Sequence, residues 1–256
     1  MDRILYTAAG GAARTLEAQA ALSNNLANVD TAGFRAQLAT YRAAPIATPG
    51  QTSPGTRVLS VATTSDSLMT HGAIHTTGRP LDIAIEGSGW IAVQTPQGEA
   101  YTRSGSLQMN PNGELVTRDG IPVLSDRGQP LVIPQNASVR ITRHGGINAI
   151  PQGGTSRDIA RIAQIKLVNP DAKTLVRGDD GLFRVVDPVS GQSVAAPADP
   201  RVQLKAGALE DSNVDPSTQM VGLIENARRF EMQMKVISDA SANAQTANSI
   251  LSLTGN

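Results

Sequence analysis

The sequence predicts an α+β chain in which two terminal helices, most economically an antiparallel pair, bracket a β-rich insert. Three observations carry this reading. Apolar residues recur at three- and four-residue spacing near each end, a seven-residue repeat runs through the last forty residues, and the middle alternates in short runs separated by glycine turns.

At the first end, residues 3–28 read as a helix, with Leu5, Ala8, Ala9, Ala12, Leu16, Ala20, Ser23 and Leu26 as its stripe. Gly10-Gly11 weakens it by about 1 kcal/mol per glycine relative to alanine. Asp30-Thr31-Ala32-Gly33 then favours a turn over helix continuation. Residues 43–78 hold Pro45, Pro49 and Pro54 among many Ser and Thr, and read as extended.

From about 79 to 205 the pattern is β. Leu81, Ile83 and Ile85 alternate onto one face. Trp90-Ile91-Ala92-Val93-Gln94 and Glu99-Ala100-Tyr101-Thr102-Arg103 flank Thr95-Pro96-Gln97-Gly98, a hairpin signal. Asn112-Gly113 and Asp119-Gly120 mark further turns, and apolar runs at 131–133, 139–141 and 159–168 continue the series, as in a small sandwich or barrel-like domain.

At the far end Pro216 suits a first helical position, with Asp215 before it as N-cap. The heptad that follows puts Met220, Ala227, Met234, Ser241 and Asn248 at one position and Leu223, Phe230, Ile237, Ala244 and Leu251 at its partner. Apolar residues at most of these sites predict a coiled-coil seam, bulky at its start and small or polar at its end. An amphipathic helix lying on its own domain would give the same stripe, so the sequence leaves open what the stripe faces.

Composition narrows the function. The 256 residues carry 22 Lys+Arg against 22 Asp+Glu, which excludes the basic footprint of a nucleic-acid binder. There is no cysteine, hence no disulfide, thiolate metal site or cysteine nucleophile. No apolar run reaches the roughly 18–20 residues that span a bilayer. The opening Met1-Asp2-Arg3-Ile4-Leu5-Tyr6, with Arg14 and Glu17 soon after, lacks the unbroken apolar core of a cleavable signal peptide, so any export is expected to use another route.

No motif makes a convincing catalytic, cofactor or metal site. His71 and His75 are four apart, as two zinc ligands on a helix are, but Gly72 and Gly78 argue against a helix and no third ligand presents itself. Gly87-Ser88-Gly89 follows a strand as a dinucleotide fingerprint does, yet Trp90-Ile91-Ala92-Val93 after it reads as another strand rather than the helix that would hold a pyrophosphate. Ser88 lacks the strand-to-helix context of a hydrolase nucleophile, and nothing marks His144 as a base. Arg177-Gly178-Asp179 matches an adhesion triplet, but Asp180-Gly181 after it is first a turn.

Three stretches carry a resemblance. They are Ser23-Asn24-Asn25-Leu26-Ala27-Asn28 with Thr31, Gly33, Phe34 and Arg35; residues 77–90, TGRPLDIAIEGSGW; and residues 207–216, GALEDSNVDP, followed by Met220, Leu223-Ile224, Arg228-Arg229-Phe230-Glu231 and Lys235. In this order the chain resembles the bacterial flagellar rod and hook protein family along nearly its whole length. The opening octapeptide and residues 177–183 are more similar to its proximal than to its distal rod members. Gln219 departs from the pattern, where an acidic residue is expected.

The resemblance implies that residues 1–30 and 215–256 pair as a helical coiled-coil domain, that 31–76 and 203–214 form an extended linking region, and that 77–202 form a β-rich outer domain. It implies a rod subunit in the basal body, exported through the flagellar type III apparatus into the periplasm. Its partners would be proximal and distal rod proteins in a helical tube, with an export apparatus or rod chaperone before assembly. The expected assembly interface comprises Leu5, Ala12, Leu16, Asn24, Asn25, Leu26, Asn28, Met220, Leu223, Ala227, Phe230, Met234, Ile237, Ala244 and Leu251. Isolated, such Ala-, Ser- and Asn-rich helices are marginal, because nucleation is costly and packing supplies most helical stability. The asparagine cluster fits either local capping of backbone groups or a hydrogen-bond network between subunits. A cell-wall hydrolase is the rival from another class, and it needs paired carboxylates or a metal that the sequence does not display.

Overall fold

The computed structural model describes residues 2–45, 58–62, 66–134, 137–150 and 160–253; the prolines at 49 and 54 and the start of the 159–168 run lie outside them. The chain is α+β, with a helix at each end and a mainly β middle. Helix α1 spans Asp2–Ala27 and helix α2 spans Pro216–Leu253. Asp215 caps α2 as its position predicts: its carboxylate accepts from the Ser217 amide at 3.0 Å and from the Thr218 hydroxyl, and Pro216 opens the helix where no amide donor is needed. After α1, the Thr31 amide donates to Asn28 O, and Gly33 takes φ +70°, a left-handed conformation that favours glycine.

Contacts divide the chain into two units. One holds residues 1–27, 37–66 and 215–256; the other holds 28–36 and 67–214. In the first, α1 packs on α2, and strands Tyr41–Pro45 and Val58–Ala62 pair antiparallel. The expected link residues 31–36, 67–76 and 203–214 group with the β-rich unit, and 37–66 with the helices.

The second unit is built on a five-stranded antiparallel sheet in the order Leu167–Val168, Trp90–Thr95, Gly98–Thr102, Phe183–Val185, Leu175–Arg177. The predicted hairpin is there, closed over Pro96-Gln97, with Gly98 at φ +113° and the Thr95 hydroxyl donating to Gly98 O at 2.8 Å. A three-stranded sheet, Ser138–Ile141, Gly146–Ile150 and Ala160–Gln164, adjoins it in sequence. Two-stranded pairs join Gln203–Ala206 to Ile83–Glu86 and Ala208–Glu210 to Ile74–Thr76. Gly113 and Gly120 both lie at positive φ in turns, as predicted.

The core explains one departure from expectation. Ile83 and Ile85 share one face as their alternation predicts, yet Ala84 between them is also fully buried, and Asp82 with it. Both faces of this strand are covered. The Asp82 carboxylate is partly compensated: the Thr77 hydroxyl donates to its Oδ2 at 2.7 Å, and the Arg79 guanidinium lies 3.7 Å from its Oδ1, which has no hydrogen bond of its own. Ile83, Ile91, Leu107, Leu115, Leu131 and Ile147 centre the larger apolar cluster, and Trp90, Tyr101 and Phe183 a second. Gly105 sits where the strand passes closest: a Cβ there would lie 1.6 Å from the Ile83 carbonyl oxygen.

Candidate assembly interface

The helical unit covers only part of what periodicity selects. On α1 the buried side chains are Ala12, Thr15 and Asn25, with Leu5, Ala8, Gly11 and Leu22 half-buried between them. Leu16, expected on the stripe, is 54% exposed, and Ala20 and Ser23 are exposed with it. On α2 one heptad column behaves as predicted: Leu223, Phe230, Ile237 and Ala244 are half-buried. The other does not, because Met220, Ala227, Met234 and Ser241 are exposed. The covered companion column lies one residue earlier, at Gln219, Asn226, Gln233 and Ala240.

Hydrogen bonding explains the displacement. Asn226 Nδ2 donates to Thr15 O at 2.6 Å, Thr15 Oγ1 lies 2.8 Å from Gln233 Oε1, and Asn25 Nδ2 donates to Gln219 Oε1 at 3.2 Å. A buried amide that finds a partner is tolerated where an unpaired one costs about 1–3 kcal/mol. Gln219, anomalous as a missing acid, is therefore an acceptor for Asn25. Asn25 also brackets Gln37, accepting from its amide at 2.7 Å and donating to its carbonyl at 2.9 Å. That is the local backbone-satisfying role. Asn24 is exposed, Leu26 half-buried, and the Asn28 amide oxygen accepts from the Thr31 hydroxyl at 3.2 Å. The Leu251 and Asn248 side chains lie outside the described set.

What the seam does not use is turned outward. Tyr6 on α1, and Met220, Val221, Ile224, Met232 and Val236 on α2, are exposed, Val221 and Ile224 by more than half. Thr7, Ala8 and Gly11 of α1 with Met232, Gln233 and Val236 of α2 line a groove along the pair. The heptad count missed Val221, Ile224, Met232 and Val236; the signal was their clustering as bulky residues on a helix whose own seam is partly polar.

In the β-rich unit the recognised stretches converge on a buried ionic cluster. Glu210 receives Arg35 Nη2 on Oε1 at 2.8 Å and Arg103 Nη1 on Oε2 at 2.8 Å, and the Gly72 amide donates to Oε1 at 3.2 Å. The three side chains are 1%, 2% and 1% exposed for Arg35, Arg103 and Glu210. Arg35 also donates to Thr70 O, and Arg103 to Gly87 O at 2.6 Å, while the Arg103 guanidinium lies 5.6 Å from the Trp90 ring centroid. Burial lowers both guanidinium pKa values, and Glu210 opposes the shift. The Gly33 amide donates to Glu210 O at 2.7 Å, and a Cβ at Gly33 would strike the Arg103 main chain. Asn213 completes the join: its Oδ1 accepts from the Ala36 amide at 2.7 Å and its Nδ2 donates to Leu68 O and Thr70 O. Two of the stretches hold Arg35 and Glu210, whereas Arg103 lies outside all three, and the sequence assigned no role to any of these charges.

The other motifs resolve into packing. His71 lies 3.2 Å from Arg35 Nη2 through its Nδ1; burial, then Arg103 and Arg35, lower its pKa and favour the neutral ring, and Glu210 opposes them. His75 is in a strand and its Nε2 lies 2.7 Å from Asp211 Oδ2. Arg177 of the adhesion-like triplet is turned inward: it donates to Arg35 O at 2.7 Å and stacks on Phe34 at 4.6 Å. Gly87-Ser88-Gly89 is a turn between two strands. Among the described residues no group of three or more His, Asp or Glu side chains is arranged to hold a metal, and no helix is long and apolar enough to cross a membrane.

Comparison with known proteins accounts for this distribution. Residues 5–35 match the family model "Flagella basal body rod protein", 84–149 match "Flagellar hook protein FlgE/F/G D1 domain", and 205–250 match "Flagellar basal body rod FlgEFG protein C-terminal". Flagellar basal-body rod protein FlgF of Escherichia coli is 44% identical over 255 residues, covering 99% of this chain and 100% of that one. FlgF of Salmonella typhimurium is 42% identical over the same length. Flagellar basal-body rod protein FlgG of Bacillus subtilis is 32% identical over 93% of this chain and 95% of its own. The three matched regions are those that build the helix pair and enclose the Arg35–Glu210–Arg103 cluster, and the chain belongs to the flagellar basal-body rod protein family.

Proposed function

We propose that this chain is a structural, non-enzymatic subunit of the flagellar basal-body rod. It polymerises with other rod proteins through its helical ends and helps transmit torque across the periplasm. The observation that carries this is the apolar face left uncovered on the helix pair, in a chain alike over its full length to basal-body rod proteins. Fully burying a large apolar side chain contributes about 1.5–3 kcal/mol. Met220, Val221 and Ile224, each about half exposed, hold much of that contribution in reserve for a neighbour.

The helices would form an antiparallel coiled coil at the inner radius. The order of their contacts supports this, since Asn25 meets Gln219, Leu22 lies by Gly222 and Gly11 by Gln233, so one partner advances as the other recedes. The interface would draw on the expected residues that the helix pair leaves exposed, Leu16, Asn24, Met220, Ala227 and Met234, together with Val221, Ile224, Met232 and Val236. Residues 31–76 and 203–214 would link this layer to an outer domain of 77–202. Identity of 44% to a FlgF against 32% to a FlgG favours the proximal over the distal position. Export would proceed through the type III apparatus without a cleaved signal, with an export component or rod chaperone as a transient partner.

The test is Val221→Ser/Ile224→Ser in a strain lacking the chromosomal copy. Both sites are exposed in the isolated chain, so the variant should keep the parent's thermal unfolding within about 0.5 kcal/mol. It should reach the periplasm and leave cells non-motile, with basal bodies lacking the subunit. Normal swarming with the variant incorporated would refute the interface.

A further inference from the structure

The helix seam contains a register key that its apolar column alone does not provide. Leu223, Phe230 and Ile237 repeat every seven residues, so sliding α2 by one heptad sets apolar side chains where apolar side chains were. Gln233 does not survive that slide. Its side chain lies over Gly11, where a Cβ would stand 2.9 Å from Nε2, and its Oε1 is 2.8 Å from the hydroxyl of the buried Thr15. One heptad away the corresponding positions are Ile4 and Ala8, or Ala18 and Leu22. Neither pair leaves the room glycine leaves, and neither offers a hydroxyl.

We infer that Gln233, seated in the socket of Gly11 and Thr15, is the residue that fixes the register of the two terminal helices. The Asn25–Gln219 contact at the far end acts as a second check, since a heptad shift sets Gln219 against Ala18 or beyond the end of α1. In a wrong register this half-buried amide loses both its fit over Gly11 and the hydroxyl of the buried Thr15, so the socket selects against the shift by shape as well as by hydrogen bonding. Leu in its place would remove the socket's selection and leave only the check at Gln219. The pair thus combines a selective seam with an outer face whose spacing depends on it. This inference concerns the chain before assembly, so it stands or falls separately from the role proposed for the outer face.

The absence of cysteine makes the test direct. Spin labels on Ala13→Cys and Glu231→Cys, both exposed, report the alignment of α1 and α2 by pulsed electron paramagnetic resonance on the purified full chain. The parent should give one narrow distance. Gln233→Leu, and separately Thr15→Val, should add a population in which α2 is displaced by about 10 Å along the pair, the length of one heptad. Thr15→Ser, which keeps the hydroxyl, should restore the single distance. One unchanged distance in both apolar variants, with circular dichroism showing the helices intact, would overturn the assignment, as would a multimodal distribution in the parent. If an apolar variant loses helix, Gly11→Ala fills the socket with one methyl group and should produce the same second distance; a single distance there would also overturn it.

Discussion

Replacing Glu210 by glutamine changes one oxygen to an amide among side chains that are almost fully buried, with His71 reaching solvent beside them. Two guanidiniums, 1% and 2% exposed, then lose the carboxylate that each contacts at 2.8 Å. Among the described residues neither has another carboxylate: Arg35 keeps Thr70 O and His71 Nδ1, Arg103 keeps Gly87 O, and their Nε atoms lack partners. Breaking a buried pair from one side costs about 3–5 kcal/mol because it strands the remaining charge. Against a typical domain stability of about 5–15 kcal/mol, that is a large share. The assay is urea unfolding of the full chain followed by the single tryptophan. Trp90 is buried in this unit against Phe183 and beside Arg103, so its fluorescence reports this unit rather than the helices. Glu210→Gln should lower stability by about 3 kcal/mol or more. A change below about 1 kcal/mol would show that the cluster tolerates uncompensated charge, and the reasoning would fail.

Three further perturbations follow from the same geometry. Asn25→Ala removes both bonds to Gln37 and should cost about 1–3 kcal/mol, read as faster amide exchange at Gln37 in the isolated chain; unchanged exchange would return Asn25 to a purely intersubunit role. Gly105→Ala drives a methyl group into the Ile83 carbonyl and should prevent folding of the β-rich unit, whereas Gly78→Ala, with open space but φ +74°, should cost only about 1 kcal/mol. Asp215 is held below the usual carboxylate range by the Thr218 hydroxyl and then the Ser217 amide, so its cap supports α2 above the unfolded carboxylate value near 4 and is lost as pH falls through the folded one. Helix content should therefore decline on acidification below about pH 4, and Asp215→Asn should flatten that limb.

Much of the architecture was legible because it is local. The Asp215-Pro216 start, the Pro96-Gln97 turn and the glycines at 113 and 120 act through their own backbone, so spacing alone locates them. Long-range pairing was not. Arg35, Arg103 and Glu210 are scattered along the chain, and each read alone is a surface charge; only the fold brings them within 3 Å. The helix seam misled for a related reason. Periodicity ranks Met220 and Met234 above Gln219, Asn226 and Gln233, yet the polar side chains find partners on α1 and the methionines do not. If the apolar face serves a neighbour, as proposed, hydrophobicity marks that surface as readily as the intramolecular one.

Reactivity at position 224 tests the account most directly. Ile224→Cys introduces the chain's sole thiol on the open face of α2, 56% exposed before assembly. Maleimide should label it rapidly in the purified chain, hardly at all in isolated basal bodies, and fully again once those are dissociated in detergent. Equal labelling in intact basal bodies and free chain would mean that the face stays open in the rod, and that its helices hold no neighbour there.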